Sequence, residues 1–118
     1  MRDALNKTGR PIFYSICSWG TDDVALWGNT TGNSWRTTGD IDNNFGSMKE
    51  NFLENAKHPQ SAGPGGWNDP DMLEIGNGNF DEVEEKTHFA LWAIVKSPLL
   101  IGCDLVTVKD SSLAILKN

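Results

Sequence analysis

Ile12-Phe13-Tyr14-Ser15-Ile16-Cys17 is an apolar run broken only by Ser15. It does not alternate apolar with polar residues, so it reads as a strand covered on both faces, the mark of a parallel sheet. The flanking segments say what kind of sheet. Upstream, Arg2 to Asn6 reads as the last turns of a helix that Gly9 stops. Downstream, Asp22 to Trp27 reads as a short helical stretch, followed by a Gly/Asn/Thr-rich loop. Ser34 to Thr38 is a second, weaker strand ending at Gly39-Asp40. Phe45, Met48, Phe52, Leu53 and Ala56 then recur at helical spacing and predict an amphipathic helix.

Gly63-Pro64-Gly65-Gly66 is a tight turn, and Trp67 to Leu73 is a third strand made irregular by Pro70. Asp81 with Glu84 three residues later predicts an acidic capping box. The helix it opens carries Val83, Thr87, Ala90, Leu91, Ile94 and Val95 as its stripe, and Pro98 ends it. Leu99 to Cys103 is the fourth strand. Thr107 with Asp110 predicts a second capping box, opening a final helix through Ile115.

Strand–helix units in succession imply an α/β fold with right-handed crossovers. Two architectures fit: a small doubly wound sheet, or half of an eight-stranded barrel. The first calls for a phosphate-binding loop at its switch point, and neither G-x-G-x-x-G nor G-x-x-x-x-G-K-[ST] occurs. The barrel puts function at the C-terminal ends of the strands. Those ends carry Cys17-Ser18-Trp19, then Arg36 and Asp40, then Asn68-Asp69-Pro70-Asp71, then Cys103-Asp104. Carboxylates, an arginine and indole rings around one mouth suit a sugar, whose hydroxyls need ionic partners and whose C–H face needs an apolar one.

Each residue also has a plainer reading. Asp40 suits a helix cap; Asp69 and Asp71 suit turns in which Asp bonds backbone amides; Arg36 suits a surface cation; Trp19 and Trp67 suit a core. His58 and His88 have no paired ligands, so no metal site is expected.

Composition narrows the classes. A net charge of −6 argues against nucleic acid or an anionic membrane as partner. No apolar run approaches the roughly 20 residues that span a bilayer, and Met1-Arg2-Asp3-Ala4 opens no signal-peptide core. Cys17 and Cys103 each close a strand-like run, where a buried free thiol is expected rather than a disulfide. Asn6 and Asn29 stand in Asn-x-Thr triplets that would permit glycosylation.

Four strings carry a resemblance: Arg10 to Gly20 (RPIFYSICSWG), Asn33 to Ile41 (NSWRTTGDI), Ala62 to Leu73 (AGPGGWNDPDML) and Ser97 to Leu105 (SPLLIGCDL). In order and spacing they resemble glycoside hydrolase family 27, the α-galactosidase (melibiase) and α-N-acetylgalactosaminidase family. The resemblance implies a (β/α)8 TIM-barrel catalytic domain, residues 1–118 covering its C-terminal half: the end of helix four and strand–helix units five to eight. It implies a retaining hydrolysis of terminal α-linked galactose, without cofactor, on a small carbohydrate substrate, by a secreted or lysosomal-type parent protein.

By the same resemblance Asp40 matches the acid/base and Arg36 the sugar-binding arginine. Asp71 matches the floor carboxylate, and Cys17, Ser18 and Trp19 match the sugar-site wall. Ser18 stands where many animal and plant galactosidases have an acid and N-acetylgalactosamine enzymes a serine, which keeps the 2-substituent open. The nucleophile belongs to a Lys-x-Asp motif that does not occur here, so the isolated chain is expected to be inactive. Two other readings stand beside this one: a catalytically dead, lectin-like relative, and a half-barrel that pairs its open edges with a second copy.

Overall fold

The computed structural model describes residues 1–118. Its elements run in the expected order: α1 (Arg2–Asn6), β1 (Ser15–Ile16), α2 (Val24–Trp27), β2 (Ser34–Arg36), α3 (Phe45–Asn55), β3 (Trp67–Asp69), α4 (Glu82–Ile94) and α5 (Asp110–Leu116). Short 3-10 turns flank α2 at Thr21–Asp23 and Gly28–Thr30, and another spans Pro59–Ser61. The sheet is parallel with order β1-β2-β3, Ser15 opposite Ser34 and Trp35 opposite Asn68. Consecutive strands are therefore neighbours, so all their C-terminal ends lie along one side.

The strands are shorter than the apolar runs predict. β1 keeps only Ser15 and Ile16, while Ile12, Phe13 and Cys17 are exposed, so this run is not covered on both faces. Cys17 corrects the expectation of a buried thiol; Cys103 is half-buried, and both are free. The fourth strand is reduced to a parallel bridge between Leu73 and Ile101. Leu73 N–H donates to Leu100 (2.8 Å) and Gly102 N–H to Leu73 (3.0 Å).

Two apolar clusters hold the layers together. Ile16, Val24, Ala25 and Trp35 pack under β1 and β2. Ile41, Met48, Leu73, Ile75, Phe80, Trp92 and Ile115 join α3, α4 and α5 to the segment after β3. The Asp81–Glu84 box forms as expected, with Asp81 Oδ1 accepting from the amides of Val83 and Glu84 and Glu84 returning to Asp81 N. The stripe of α4 is a correction. Glu85, His88 and Trp92 face inward, whereas Val83 and Ile94 are each 72% exposed. The inward face is chosen by polar groups: Glu85 accepts from Gly76 N (2.8 Å) and Ser112 Oγ, and His88 Nε2 from Glu74 N (3.0 Å).

The second capping box does not form. Thr107 Oγ1 donates to Asp104 (3.0 Å), and Lys109 stands at the cap position of α5.

Candidate active site

Asp40 does not cap the helix that follows it. That work falls to Asn44, whose Oδ1 accepts from Ser47 N (2.9 Å). Asp40 is left beyond the end of β2, beside the last residue of that strand. Arg36 Nη2 reaches Asp40 Oδ1 at 3.2 Å and Asp71 Oδ2 at 2.9 Å, and also bonds the carbonyls of Gly39 (2.7 Å) and Thr38 (3.3 Å). Arg36 is therefore no surface cation: it is buried, and it ties the ends of β2 and β3. Its Nη1 makes no bond with the protein and remains a donor for something else.

The two carboxylates differ sharply. The Asp40 side chain is 76% exposed and that of Asp71 15%. Asp71 is tied at every polar atom of its carboxylate: Oδ2 also accepts from Ile41 N (2.8 Å) and Oδ1 from Met72 N (2.8 Å). On Asp40, only Oδ1 has partners, Arg36 and the indole Nε1 of Trp19 (3.1 Å). Oδ2 is unbonded and faces open space. One carboxylate is fixed as framework and the other is presented.

Trp19 reaches Asp40 because Gly20 lets its loop lie on β2. Gly20 has φ 76°, donates its N–H to Arg36 O (3.0 Å), and a Cβ there would meet Thr37 O at 2.3 Å. Trp19 itself is exposed rather than part of the core, with a left-handed φ of 51°. Cys17 is exposed beside this loop. The Ser18 hydroxyl donates to Thr21 O (3.2 Å) within its own turn, so it does not join the Arg36–Asp40–Asp71 cluster. Asp104 closes a turn on Val106 N (2.9 Å) and stays outside it as well.

Asp69 behaves as a turn residue, accepting from Asp71 N at 2.9 Å. Its carboxyl is also held above its ordinary range. Burial is the main cause; the Asp71 amide and Arg36 oppose it, and the Asp71 charge adds to it. Asn51, on α3, belongs to no motif of the sequence but reaches both loops of the site. Its Nδ2 donates to Gly39 O (3.3 Å) and Pro70 O (3.0 Å), the residues before Asp40 and Asp71. The available signal was an Asn on the inward face of a helix, a poor helix former where an apolar residue is expected. No group of three or more His, Cys, Asp or Glu side chains is arranged to hold a metal ion.

The ends of β2 and β3 thus gather an arginine between two aspartates, with an exposed indole bonded to one of them. The family profile described as Alpha galactosidase A (Melibiase_2) matches residues 1–118. Alpha-galactosidase 3 of Arabidopsis thaliana is 58% identical over 118 residues, which is 100% of this chain and 27% of that protein. The alpha-galactosidase of rice (Oryza sativa subsp. japonica) is 51% identical over 100% of this chain and 28% of its own. Among solved structures, the α-galactosidase of Saccharomyces cerevisiae determined with raffinose superposes with a TM-score of 0.96 at 43% identity, covering 98% of this chain and 30% of that one. A family 27 β-L-arabinopyranosidase from Geobacillus stearothermophilus superposes at 0.88 with 29% identity, over 98% of this chain and 30% of its own.

The chain belongs to glycoside hydrolase family 27, the alpha-galactosidase family, and its fold is a portion of the family's TIM barrel. It spans less than a third of the length of these relatives.

Proposed function

We propose that residues 1–118 form the C-terminal half of the (β/α)8 catalytic domain of a retaining α-galactosidase, units five to eight, with Asp40 as its acid/base. The observation that carries this is the contrast within one cluster: Arg36 bridges a sequestered Asp71 and an exposed Asp40. The Asp40 oxygen that would carry the proton, Oδ2, is the one without a protein partner.

In this reading a terminal α-linked galactose sits on Arg36 Nη1 and the Asp71 rim, against the indole of Trp19 and beside Cys17 and Ser18. Asp40 protonates the leaving oxygen while a second carboxylate, about 5–5.5 Å away, attacks the anomeric carbon. Asp40 then activates the water that releases the sugar. The attacking carboxylate is not among these residues, since no Lys-x-Asp occurs in the sequence, so the 118-residue chain alone should not turn over. The chemistry calls on no cofactor. The named relatives favour galactose over N-acetylgalactosamine, and the family over a purely binding role. No helix is long and apolar enough to cross a membrane; a secreted or lysosomal-type setting follows the family.

A graft tests this. Residues 1–118 replace the matching stretch of Arabidopsis Alpha-galactosidase 3, and Asp40→Asn is made in the graft. Acid–base assistance is worth about 10²–10⁴-fold, so unactivated galactosides should lose about that much in rate. Activated aryl galactosides, which need little protonation, should lose much less in their first step, and azide should restore turnover as the α-galactosyl azide. An Asp40→Asn graft with unchanged activity on unactivated galactosides overturns the assignment.

A further inference from the structure

Three backbone carbonyls in the loops that carry the site carboxylates are bonded by side chains from the outer helices. Asn51, on α3, is buried, and its single amide group donates to Gly39 O at 3.3 Å and Pro70 O at 3.0 Å. Trp92, on α4, is fully buried, and its Nε1 donates to Asp71 O at 2.7 Å. Gly39 precedes Asp40 and Pro70 precedes Asp71, so one amide group reaches both loops. Its two hydrogens have fixed geometry, and satisfying both carbonyls therefore fixes one loop relative to the other.

The loop after β3 needs such a hold. Asp71 has φ 89°, outside the comfortable range for a residue with a side chain. It leaves the ladder at Pro70 and rejoins pairing only at Leu73. The same peptide that Trp92 grips continues into Met72, whose N–H bonds Asp71 Oδ1. Trp92 is in turn fixed by His88 one turn earlier, whose ring meets it edge-on at 4.1 Å.

We propose that Asn51 and Trp92 are positioning residues for the Arg36–Asp40–Asp71 cluster: Asn51 sets Asp40 against Asp71, and Trp92 sets Asp71 alone. The proposal rests on the reading of Asp40 as acid/base and Asp71 as a sugar-site carboxylate. It separates two effects. Loss of the Asn51 donors misplaces the proton donor relative to the sugar floor. Loss of the Trp92 donor acts first on the floor, while Gly39, before the proton donor, keeps its bonds from Arg36 and Asn51.

The experiment uses the grafted enzyme with Asn51→Leu, close in shape and lacking the donor, and Trp92→Phe, which keeps an aromatic ring in the core but removes the donor together with part of the indole. Rates are read on an unactivated galactosyl disaccharide and a nitrophenyl galactoside, with inhibition by free galactose. Hydrogen exchange is followed by mass spectrometry on peptides covering residues 39–44 and 70–75. For Asn51→Leu, the disaccharide rate should fall about ten-fold more than the nitrophenyl rate, and exchange should quicken in both peptides. For Trp92→Phe, galactose should bind about ten-fold more weakly, the ratio of the two rates should hold, and exchange should quicken in residues 70–75 only.

Equal losses on both substrates, with exchange in these peptides unchanged or raised evenly throughout the protein, make the two residues merely structural and overturn the proposal. If Asn51→Leu does not fold, the Trp92→Phe arm still decides its half. An Asp40→Asn graft that stays active removes the functional reading instead, while the exchange measurement still judges whether the helices hold these loops.

Discussion

The strand ends around Arg36 and the segment from Leu99 to Val106 are both loop-rich and polar-flanked, yet they are built on opposite principles. Around Arg36 the strand ends are tied by side-chain bonds within the chain: Arg36 with Asp40 and Asp71, Ile41 N with Asp71, Asn51 with two carbonyls, and Thr37 Oγ1 with Asn55 (2.6 Å), while Arg36 Nε, Ser34 Oγ and Thr38 Oγ1 are buried without a partner. From Leu99 onward, Leu99, Leu100, Ile101, Leu105 and Val106 are all exposed, and pairing is limited to the bridge at Leu73. Polar geometry can be completed by near neighbours. Apolar burial needs a second surface, and these residues meet none within this chain. The site end should therefore be sensitive to single changes and the Leu99 segment tolerant of them.

The largest effect should come from Arg36→Met, which keeps the stem and removes the charge. It leaves the buried Asp71 charge with only the Ile41 and Met72 amides as partners, and breaking such a pair costs about 3–5 kcal/mol. Urea unfolding of the 118-residue chain should show the cooperative transition shifted by that amount or lost. A shift below about 1 kcal/mol, the value of an exposed pair, would mean that the cluster is no more constrained than the Leu99 segment.

His88 sharpens the comparison, because it stands between the two regions. Burial lowers its pKa from 6.5 to about 4, so its ring is neutral at pH 7 and Nε2 is free to accept from Glu74 N. The unfolded chain binds a proton that the folded chain refuses, so stability rises with pH across this window. The His88 contribution is complete above pH 6.5 and is lost progressively down to about pH 4. It amounts to about 3 kcal/mol in all. Asp69, held above its ordinary range by burial, acts in the opposite direction at the acid end. The measurement is thus the difference between wild type and His88→Gln, which keeps an acceptor and cannot titrate. Unfolding curves from pH 7.5 to 4.5 should show a shallower loss in the variant; parallel curves would rule out His88 as the cause.

What the sequence made legible were features decided by a few residues in a row. The Gly9 stop, the Asp81–Glu84 box and the order of strands and helices are of that kind, and so is Arg36 four residues before Asp40. What it hid depended on residues far apart. The stripe Val83, Thr87, Ala90, Leu91, Ile94 and Val95 predicts the inward face of α4, and Leu91 does pack on the core, yet the buried residues are Glu85, His88 and Trp92, selected by backbone groups at Gly76, Glu74 and Asp71. Thr107 matched a cap pattern but is held by Asp104. The bonds from Asn51 cross to loops 12 and 19 residues away, beyond any periodicity. In the site itself, Arg36, Asp40, Asp71 and Trp19 meet as one group, whereas the Ser18 hydroxyl turns into its own loop.

The smallest effect belongs to Leu100→Thr. Leu100 is 57% exposed, and its part in the bridge is its carbonyl, which accepts from Leu73 N at 2.8 Å whatever the side chain. Threonine keeps the backbone bond and favours extended structure, while the apolar area it removes is mostly area already in water. Changes at such positions stay within about 0.5 kcal/mol. Urea unfolding of the 118-residue chain should therefore place Leu100→Thr on the wild-type curve. The same substitution in the grafted enzyme carries a different expectation, because there further barrel strands supply the second surface. If Leu100 is covered in that setting, losing its side chain should cost about 2 kcal/mol or more. A matching small effect in both proteins would mean that this segment remains outside the core even in a complete barrel. A large effect in the isolated chain would mean that its apolar side chains find cover there after all.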